Sequence, residues 1–270
     1  MKARWIRRKL STYIIFVFSL TVVRGSSHAF RQMRCQRLGE CNDRGISHAV
    51  FLNRDARKDR RDHIESTLKR ANIGSIRISA VEIFDDNSTL ASCWDGGSHK
   101  CAGQLGCQRS HLKALRHAML NGWEHVAIFE DDFEWREYIS VSRVQCILSQ
   151  VMAYVPDWDF IAISLNIQDS TIVAKDSVQI GCSTYSSVVK IHQALATHGY
   201  IVRARVYDQL YDVFEDCNVT GNLLTAIDTC WQPLQRELNW YGLQPQLGTQ
   251  GESYSDIESR VVSYTKEYNI

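Results

Sequence analysis

Several features that mark familiar classes of site are missing from this chain of 270 residues. Its nine cysteines include no C-x-x-C pair, which argues against a zinc knuckle or a thioredoxin-type redox site. The nine histidines do not show the ligand spacing that a metal-dependent hydrolase would need. There is no internal repeat and no low-complexity tract. What remains is an ordinary globular composition, with 44% hydrophobic and 23% charged residues.

A basic surface is also missing from most of the chain. Residues 1–44 carry ten Lys and Arg against one Glu and one Asp, a net charge of +8. Since the whole chain has a formal net charge of +1, the other 226 residues sum to about −7. A mildly acidic body argues against a nucleic-acid partner, although single arginines could still bind a small anionic ligand.

No apolar run is long enough to span a bilayer. Thr12 to Val23 is a stretch of twelve uncharged residues, short of the roughly 20 that a transmembrane helix needs. Five positive charges precede it, and Ser27 and Ala29 follow as a small-residue cleavage site. This pattern predicts a secretory signal, with a retained type II membrane anchor as the alternative.

The chain therefore divides into a signal or anchor at 1–29, a stem or linker at 30–45, and one domain at 46–270 that is large enough to be a catalytic domain. The charge bias around the apolar stretch predicts that the domain lies in the lumen of the secretory pathway (ER or Golgi) or is secreted. Two glycosylation sequons, at Asn87 and Asn218, and the cysteine content agree with an oxidising compartment. Nine is an odd number, so at least one thiol is free or pairs between chains.

Short apolar runs alternate with amphipathic segments along the domain. Such alternation over some 220 residues predicts an α/β sandwich with a mainly parallel central sheet. We expect strands near 49–52, 75–81, 126–129, 160–165, 184–191 and 200–202, and helices near 57–71, 108–121, 141–151 and 205–214.

The run VAIFEDD, Val126 to Asp132, concentrates charge at the end of one of these strands. Three adjacent carboxylates repel one another unless solvent or a cation screens them. A divalent metal suits them, because hard ions take oxygen ligands and often bridge a carboxylate to a phosphate. The alternative is a solvated acidic loop.

With these positions placed, the chain resembles glycosyltransferase family 25, which includes lipooligosaccharide galactosyltransferases and procollagen galactosyltransferases. The resemblance covers most of residues 48–260. It rests on six short blocks in register: FLNRDARKDRRDHI from Phe51, ISAVE from Ile78, GQLGCQRSHLKAL from Gly103, VAIFEDD, ATHGYIVRARVYDQL from Ala196, and the tail from Pro245 through Gln250 to Ser255-Asp256-Ile257. Two departures are Arg54, where the family usually has Leu, and Gln104, where it usually has Glu.

The resemblance implies a GT-A type fold that transfers a hexose from a UDP-sugar to a glycan or protein hydroxyl. Galactose is the favoured sugar, with glucose as the alternative, and the transfer is metal-assisted, usually by Mn²⁺, with inversion at the anomeric carbon. A second hypothesis is a catalytically inactive relative that serves as an adhesion or interaction module. Its hallmark would be loss of the acidic triplet, which is intact here.

Glu130 and Asp132 are the candidate metal ligands, since alternate residues of an extended chain share one side. Asp131 would point away and hydrogen-bond the ribose or a basic neighbour. Asp228 and Asp256 are the candidate bases for the acceptor hydroxyl. Asp228 is also a candidate helix N-cap, and Trp231 nearby is expected to stack on a sugar face.

The remaining candidates would contact the nucleotide sugar. Asn53 and Asp55 follow the first strand and would read the uracil or the ribose by hydrogen bonds. Arg57 and Arg60 would contact phosphate, or else belong to a solvated helix face. Ser110 and His111, within a predicted helix, would either contact the donor sugar or orient that helix against the carboxylate loop. His198 is a weaker candidate for the base and is interpreted mainly as a structural histidine, and Cys107 is interpreted as the unpaired thiol.

Overall fold

A six-stranded sheet runs through the structure, a computed structural model whose described residues are 45–83, 98–217, 226–255 and 260–262. The strands in chain order are β1 (Ala49–Asn53), β2 (Ser75–Ser79), β3 (His125–Glu130), β4 (Phe133–Trp135), β5 (Phe160–Gln179), β6 (Tyr185–Arg203), β7 (Trp240–Gln244), β8 (Gly248–Gln250), β9 (Ser253–Ser255) and β10 (Arg260–Val262). The main sheet has the order β2-β1-β3-β6-β5-β7, and the pairs β4–β8 and β9–β10 form two small ladders.

Five of the six strands in the main sheet run in the same direction. β1 is parallel to β2 and β3, and β5 is parallel to β7. β6 is antiparallel to each of its neighbours β3, β5 and β7. The predicted α/β architecture with a mainly parallel sheet is therefore confirmed, with β6 as the reversed strand.

Helices cover both faces of the sheet. They are α1 (Lys58–Arg70), α2 (Ser98–Leu120), α3 (Val144–Tyr154), α4 (Tyr207–Asp216), α5 (Ile227–Cys230) and α6 (Gln232–Glu237). On one face α1 and α3 bury residues such as Leu68 and Ile147 in an apolar cluster. On the other face α2, α4, α5 and α6 bury residues such as Leu115, Phe214 and Trp231 in a second cluster. Each large side chain buried in this way contributes about 1.5–3 kcal/mol to folding.

The β5–β6 hairpin differs from the prediction of short, separate strands. β5 continues 14 residues past the apolar run that predicted it, and the runs at 184–191 and 200–202 belong to the single strand β6. Several residues of the outer part of β5, including Ile172 and Val173, are exposed, so its sequence lacks the apolar pattern of a core strand. Backbone pairing to β6, with several register shifts, maintains the strand there.

Helix α2 begins ten residues before the predicted start at 108 and ends at Leu120, one residue before the predicted end at 121. Gly122 adopts a φ of +63°, which suits glycine at a helix C-terminus. The signal or anchor at 1–29 and nearly all of the stem at 30–45 lie outside the described residues. Within the described ranges, no helix combines the length and the apolar character needed to cross a membrane.

Candidate active site

The carboxyl ends of β1 and β3 lie side by side, because the two strands are parallel neighbours. Leu52 of β1 is in register with Glu130, the last residue of β3, and Asn53 follows Leu52. Ligands of open α/β sheets bind beyond the carboxyl ends of the strands. The acidic triplet Glu130-Asp131-Asp132 thus begins at the edge of the sheet where a ligand site is expected.

Asp131 turns away from its two acidic neighbours toward an amide and a guanidinium group. Asn53 Nδ2 donates a hydrogen bond to Asp131 Oδ2 (2.8 Å), and Arg60 Nη1 donates one to Asp131 Oδ1 (2.7 Å). Burial raises the pKa of Asp131, and the attraction of Arg60 offsets that effect only in part. The ion pair thus fixes the position of Asp131 at a cost in desolvation.

Arg60 ties three segments together at this point. Its Nη1 also lies 3.4 Å from Asp132 Oδ2, and its Nη2 donates to the Tyr254 carbonyl oxygen in β9 (2.9 Å). The Arg60 side chain is only 13% exposed. Helix α1 thereby places a nearly buried guanidinium group beside Asp131 and Asp132.

Glu130 and Asp132 face His198, which lies on β6. The Nδ1 atom of His198 is 3.4 Å from Glu130 Oε2 and 3.5 Å from Asp132 Oδ1. One ligand atom from each of these three residues can be chosen so that all lie within 4.8 Å of one another. Two carboxylate oxygens and one imidazole nitrogen are donors that a divalent cation such as Mn²⁺ accepts.

The electrostatics of this cluster favour a charged His198 and a charged Glu130. Burial works against a charged His198, but Asp132 and Glu130 outweigh burial and raise its pKa to about 10. Burial also works against a charged Glu130, but the neighbouring His111 and His198 hold its pKa well below the usual range. A proton on His198 thus neutralises part of the negative charge, and a metal ion would take over that role as the proton leaves.

Glu130 has further partners on its other side. The Thr197 hydroxyl donates to Glu130 Oε1, and His111 Nε2 lies 3.4 Å from the same oxygen. His111 Nδ1 in turn is 2.9 Å from the hydroxyl of Tyr200. His111 and Tyr200 are both fully buried. One carboxylate oxygen of Glu130 is therefore held by the protein, while the other faces His198.

Asp132 is held by the segment that follows β8. Gln250 Nε2 donates to Asp132 Oδ2 (3.1 Å), and the Gly251 amide donates to the Asp132 carbonyl oxygen (2.7 Å). Gln250 Oε1 is buried, and no described residue donates a hydrogen bond to it. Asp132 Oδ1 faces His198 at a distance longer than an ordinary hydrogen bond. Asp132 Oδ1 and Gln250 Oε1 are thus buried oxygen atoms that are available to bind a metal ion or a donor group of a ligand.

Cys107, His111 and Glu130 form a second group with the spacing of metal ligands. Burial raises the pKa of the Cys107 thiol well above its usual range, and a thiolate is a softer ligand than the carboxylates that Mn²⁺ prefers. Among the described residues Cys107 is the free cysteine, as predicted, and Cys217 is bonded to Cys230. The group that includes Asp132 and His198 is therefore the better metal candidate.

Asn53, Asp55 and Arg57 are engaged with protein groups. Asn53 Oδ1 accepts from Arg77 Nε (3.0 Å), and its Nδ2 donates to the Arg57 carbonyl oxygen (3.0 Å) as well as to Asp131. Asp55 is largely exposed, and Arg77 is the main cause of its lowered pKa. The guanidinium of Arg57 donates two hydrogen bonds to Asp59 and lowers the pKa of that carboxyl to about 2.

Ser110 has a structural arrangement of hydrogen bonds. Its buried hydroxyl donates to the Gly106 carbonyl oxygen (2.6 Å) and accepts from the Val81 amide (2.8 Å). This links α2 to the segment after β2, and not to the carboxylate loop against which Ser110 was expected to orient the helix. Arg54, a departure from the family pattern, pairs with Glu82 at 3.2 Å.

Asp228 lies within α5 and touches β6. Its Oδ2 accepts from the Ala196 amide (2.8 Å), two residues before His198. It is not an N-cap, because α5 begins at Ile227 and the N-cap position is Ala226. Asp256 lies outside the described residues.

The expectation that Trp231 stacks on a sugar face is wrong. Its side chain is fully buried, and its ring packs edge-on against the rings of Tyr200 and Trp240 in the apolar cluster of α2. An indole at this position supports the helices that cover the sheet, because a large aromatic side chain gains most from complete burial.

Thr197 and Gln250 had no role in the site from sequence alone, and His198 was not predicted as a metal ligand. Thr197 and His198 belong to the block ATHGY, whose position opposite the end of β3 depends on the reversed strand β6. Gln250 lies 118 residues from Asp132 in the chain, and only the β4–β8 ladder brings the two together. The signal available in the sequence was the presence of both segments among the family-like blocks.

Comparison with known proteins identifies the family of this chain. The family model described as glycosyltransferase family 25 (LPS biosynthesis protein) matches residues 50–231. The chain belongs to glycosyltransferase family 25. The matched region contains the acidic triplet, His111, Thr197, His198 and Asp228, so glycosyl transfer is the class of function that family 25 membership supports.

The solved structures that match this family 25 chain are distant from it. A glycosyltransferase involved in glycosylation of the major capsid of PBCV-1 has 8% identity and a TM-score of 0.41, with 78% of this chain and 96% of that chain covered. A UDP-glucose pyrophosphorylase complexed with UDP-glucose has 10% identity and a TM-score of 0.39, with 83% and 96% covered. No curated protein sequence matches the chain.

Proposed function

We propose that this protein transfers a hexose from a UDP-sugar to a hydroxyl of a glycan or protein acceptor, with the help of a divalent metal and with inversion at the anomeric carbon. Galactose is the favoured sugar and glucose the alternative. Membership of family 25 supports glycosyl transfer. The observation that carries the metal-assisted form is the convergence of Glu130, Asp132 and His198 beyond the end of β3.

The residues of this cluster fit Mn²⁺ or a similar cation. Carboxylate and imidazole are its common ligands, and the second oxygens of Glu130 and Asp132 are already held by the protein. A bound cation would neutralise the negative charge that develops on the diphosphate as the sugar–phosphate bond breaks.

The rest of the site has two proposed tasks. Asn53, Arg60 and Asp131 hold the acidic triplet in place through the hydrogen bonds and ion pair that join them. Asp55, which is exposed, and Arg57, which is partly exposed, lie beyond the carboxyl end of β1, and we assign the nucleotide contacts to them. An arginine in this position suits phosphate, because its planar guanidinium forms paired hydrogen bonds.

We assign Asp228 the role of base. The acceptor hydroxyl oxygen attacks the anomeric carbon and gives its proton to the Asp228 carboxylate, while the bond to the phosphate oxygen breaks and its electron pair leaves with UDP. One oxygen of Asp228 accepts from the Ala196 amide, which orients the carboxylate. Asp256 remains the alternative base.

We also propose that the domain lies in the lumen of the secretory pathway, either released or held by an N-terminal anchor. The disulfide between Cys217 and Cys230 supports an oxidising compartment. Treatment of the protein from a eukaryotic host with an N-glycosidase checks this, since a lumenal chain carrying glycans at its sequons shifts in mass.

The decisive experiment measures UDP release by the purified protein from a panel of UDP-sugars, with Mn²⁺ or with EDTA. Turnover of one UDP-hexose that requires the metal supports the proposal and names the donor. A folded protein that neither turns over nor binds any UDP-sugar would favour the interaction module. Turnover that persists in EDTA would refute the metal's role and leave the transfer itself intact.

A further inference from the structure

His111 has no surface available to a substrate, yet both of its ring nitrogens face polar groups. Its side chain is 0% exposed in the middle of α2. Nδ1 lies 2.9 Å from the Tyr200 hydroxyl and Nε2 lies 3.4 Å from Glu130 Oε1. The ring also packs against those of Tyr200 and Phe214. A role in direct contact with the donor sugar is therefore excluded by burial.

The sheet explains why these groups meet. Ile128 of β3 is in register with Tyr200 of β6, and side chains two residues apart on a strand share a face. Glu130 thus emerges on the same face as Ile128, the face covered by α2. His111 fills the space between Tyr200 and Glu130 from the helix above.

The hydrogen bonds assign one tautomer to a neutral His111. An ionised carboxylate can only accept, so the proton must be on Nε2, the nitrogen that faces Glu130. Nδ1 is then an acceptor, and the Tyr200 hydroxyl donates to it. Tyr200 has the means to do so, because its hydroxyl is buried and points at His111. The chain of donors runs from Tyr200 through His111 to Glu130.

This chain determines which oxygen of Glu130 is available. Oε1 is occupied by Thr197 and His111, and Oε2 is left facing His198. We infer that Tyr200 and His111 are positioning residues that orient the Glu130 carboxylate so that Oε2 is offered to a divalent cation. The inference rests on the proposed function, because it concerns a carboxylate proposed to hold the metal. Outer partners of this kind typically change metal affinity or activity by 10–100-fold.

The test compares two tyrosines of the same apolar cluster. Tyr200→Phe removes the hydroxyl that faces His111, whereas Tyr207→Phe removes a buried hydroxyl that has no hydrogen-bond partner among the described residues. Both variants lose one oxygen atom from the core and keep the aromatic ring. The measurement is the Kd for Mn²⁺ of the full chain without substrate, from the electron paramagnetic resonance signal of free Mn²⁺.

We expect Tyr200→Phe to weaken Mn²⁺ binding by about 10–100-fold, and Tyr207→Phe to leave it unchanged. A second measurement needs no metal: ¹⁵N spectra of histidine-labelled protein in EDTA report the tautomer of His111. Wild type should show the Nε2–H form, which Glu130 still requires in Tyr200→Phe, while the Nδ1 signal of that variant should shift because the hydrogen bond from Tyr200 is lost. The thermal unfolding midpoints of both variants in EDTA show that each is folded.

Three results would overturn the inference. Mn²⁺ binding by Tyr200→Phe equal to that of wild type would remove the positioning role and leave the proposed function intact. Equal weakening in both variants would assign the effect to core packing. A wild-type protein that does not bind Mn²⁺ would refute the metal's role in the proposed function, and the inference would fall with it.

Discussion

The acidic triplet has two sides that differ in the kind of cation they face. Asp131 faces the guanidinium of Arg60, which keeps its charge under all ordinary conditions. Glu130 and Asp132 face His198, an imidazole that can lose its proton. Asp131 is neutralised permanently, whereas Glu130 and Asp132 share a group that can give way to a metal, although Asp132 Oδ2 also lies 3.4 Å from Arg60.

This contrast assigns structural and chemical roles to neighbouring carboxylates of one strand end. A permanent ion pair holds the backbone of the triplet, and the exchangeable side is free to take part in ligand binding. Three identical charges at one place therefore need not share one role. The predictions below test that division, from the largest expected effect to the smallest.

Asp132→Asn should remove a metal-binding carboxylate from the side of the triplet that faces His198. The amide cannot replace a charged ligand oxygen, so we expect Mn²⁺ affinity and metal-dependent UDP release to fall by more than about 100-fold, beyond the effect of an outer partner. Equilibrium binding of Mn²⁺ and a UDP-release assay measure the two losses. Full metal binding in Asp132→Asn would show that the cation site lies elsewhere.

Arg60→Met should destabilise the fold around Asp131, the carboxylate that the guanidinium group neutralises. It leaves Asp131 buried without its guanidinium, and breaking a buried pair typically costs about 3–5 kcal/mol of unfolding free energy. Urea unfolding in EDTA measures this cost. The double variant Arg60→Met/Asp131→Leu is the matched control, since removal of both charges should restore most of the stability. No loss in the single variant would contradict a structural role for the pair.

Gln250→Leu should weaken the positioning of Asp132 while leaving its carboxylate in place. The variant loses the hydrogen bond to Asp132 Oδ2, and we expect Mn²⁺ affinity to fall by about 10-fold, at the lower end for outer partners. Stability should change little, because a buried acceptor without a partner, Gln250 Oε1, is lost with it. Titration calorimetry measures the affinity, and an unchanged Kd would show that the Gly251 amide and Arg60 position Asp132 without Gln250.

Arg57→Gln should have the smallest effect on folding stability, because it breaks only an ion pair at the surface. Hydrogen bonds from Arg57 lower the pKa of Asp59 to about 2. A carboxyl with a lowered folded-state pKa contributes stability above its unfolded pKa of about 3.8, and that contribution is lost as the pH falls toward 2. In Arg57→Gln the pKa should return toward 3.8, as a carbon NMR titration of Asp59 would show. No shift would mean that the pair does not persist in solution.

Much of the site's location was available from the sequence. An apolar run that ends in Glu130-Asp131-Asp132 predicts a strand end with concentrated charge, and Asn53 marks the neighbouring strand end in the same way. These predictions depend only on local pattern and on the rule that parallel strands end at one edge. For the same reason the α/β architecture and the starts of β1 and β3 were predictable.

The partners of the triplet were not predictable, because they depend on contacts between distant segments. Arg60 and Asp131 are 71 residues apart, and Thr197 and Glu130 are 67 apart. The position of His198 depends on the direction of β6, which the alternation of strands and helices does not reveal. Trp231 was misinterpreted for a related reason: a tryptophan near a candidate base looks the same in sequence whether it faces a sugar or the core.

The ladder between β4 and β8 bears on where the chain can be shortened. The family match ends at residue 231, yet Gln250 and Gly251, which hold Asp132, lie almost twenty residues beyond that point. A chain shortened to the end of the family match would keep every acidic residue of the triplet. It would lose strand β8, whose Gln250 positions Asp132. Expression of this domain should therefore extend at least through β9, whose Tyr254 carbonyl also receives Arg60.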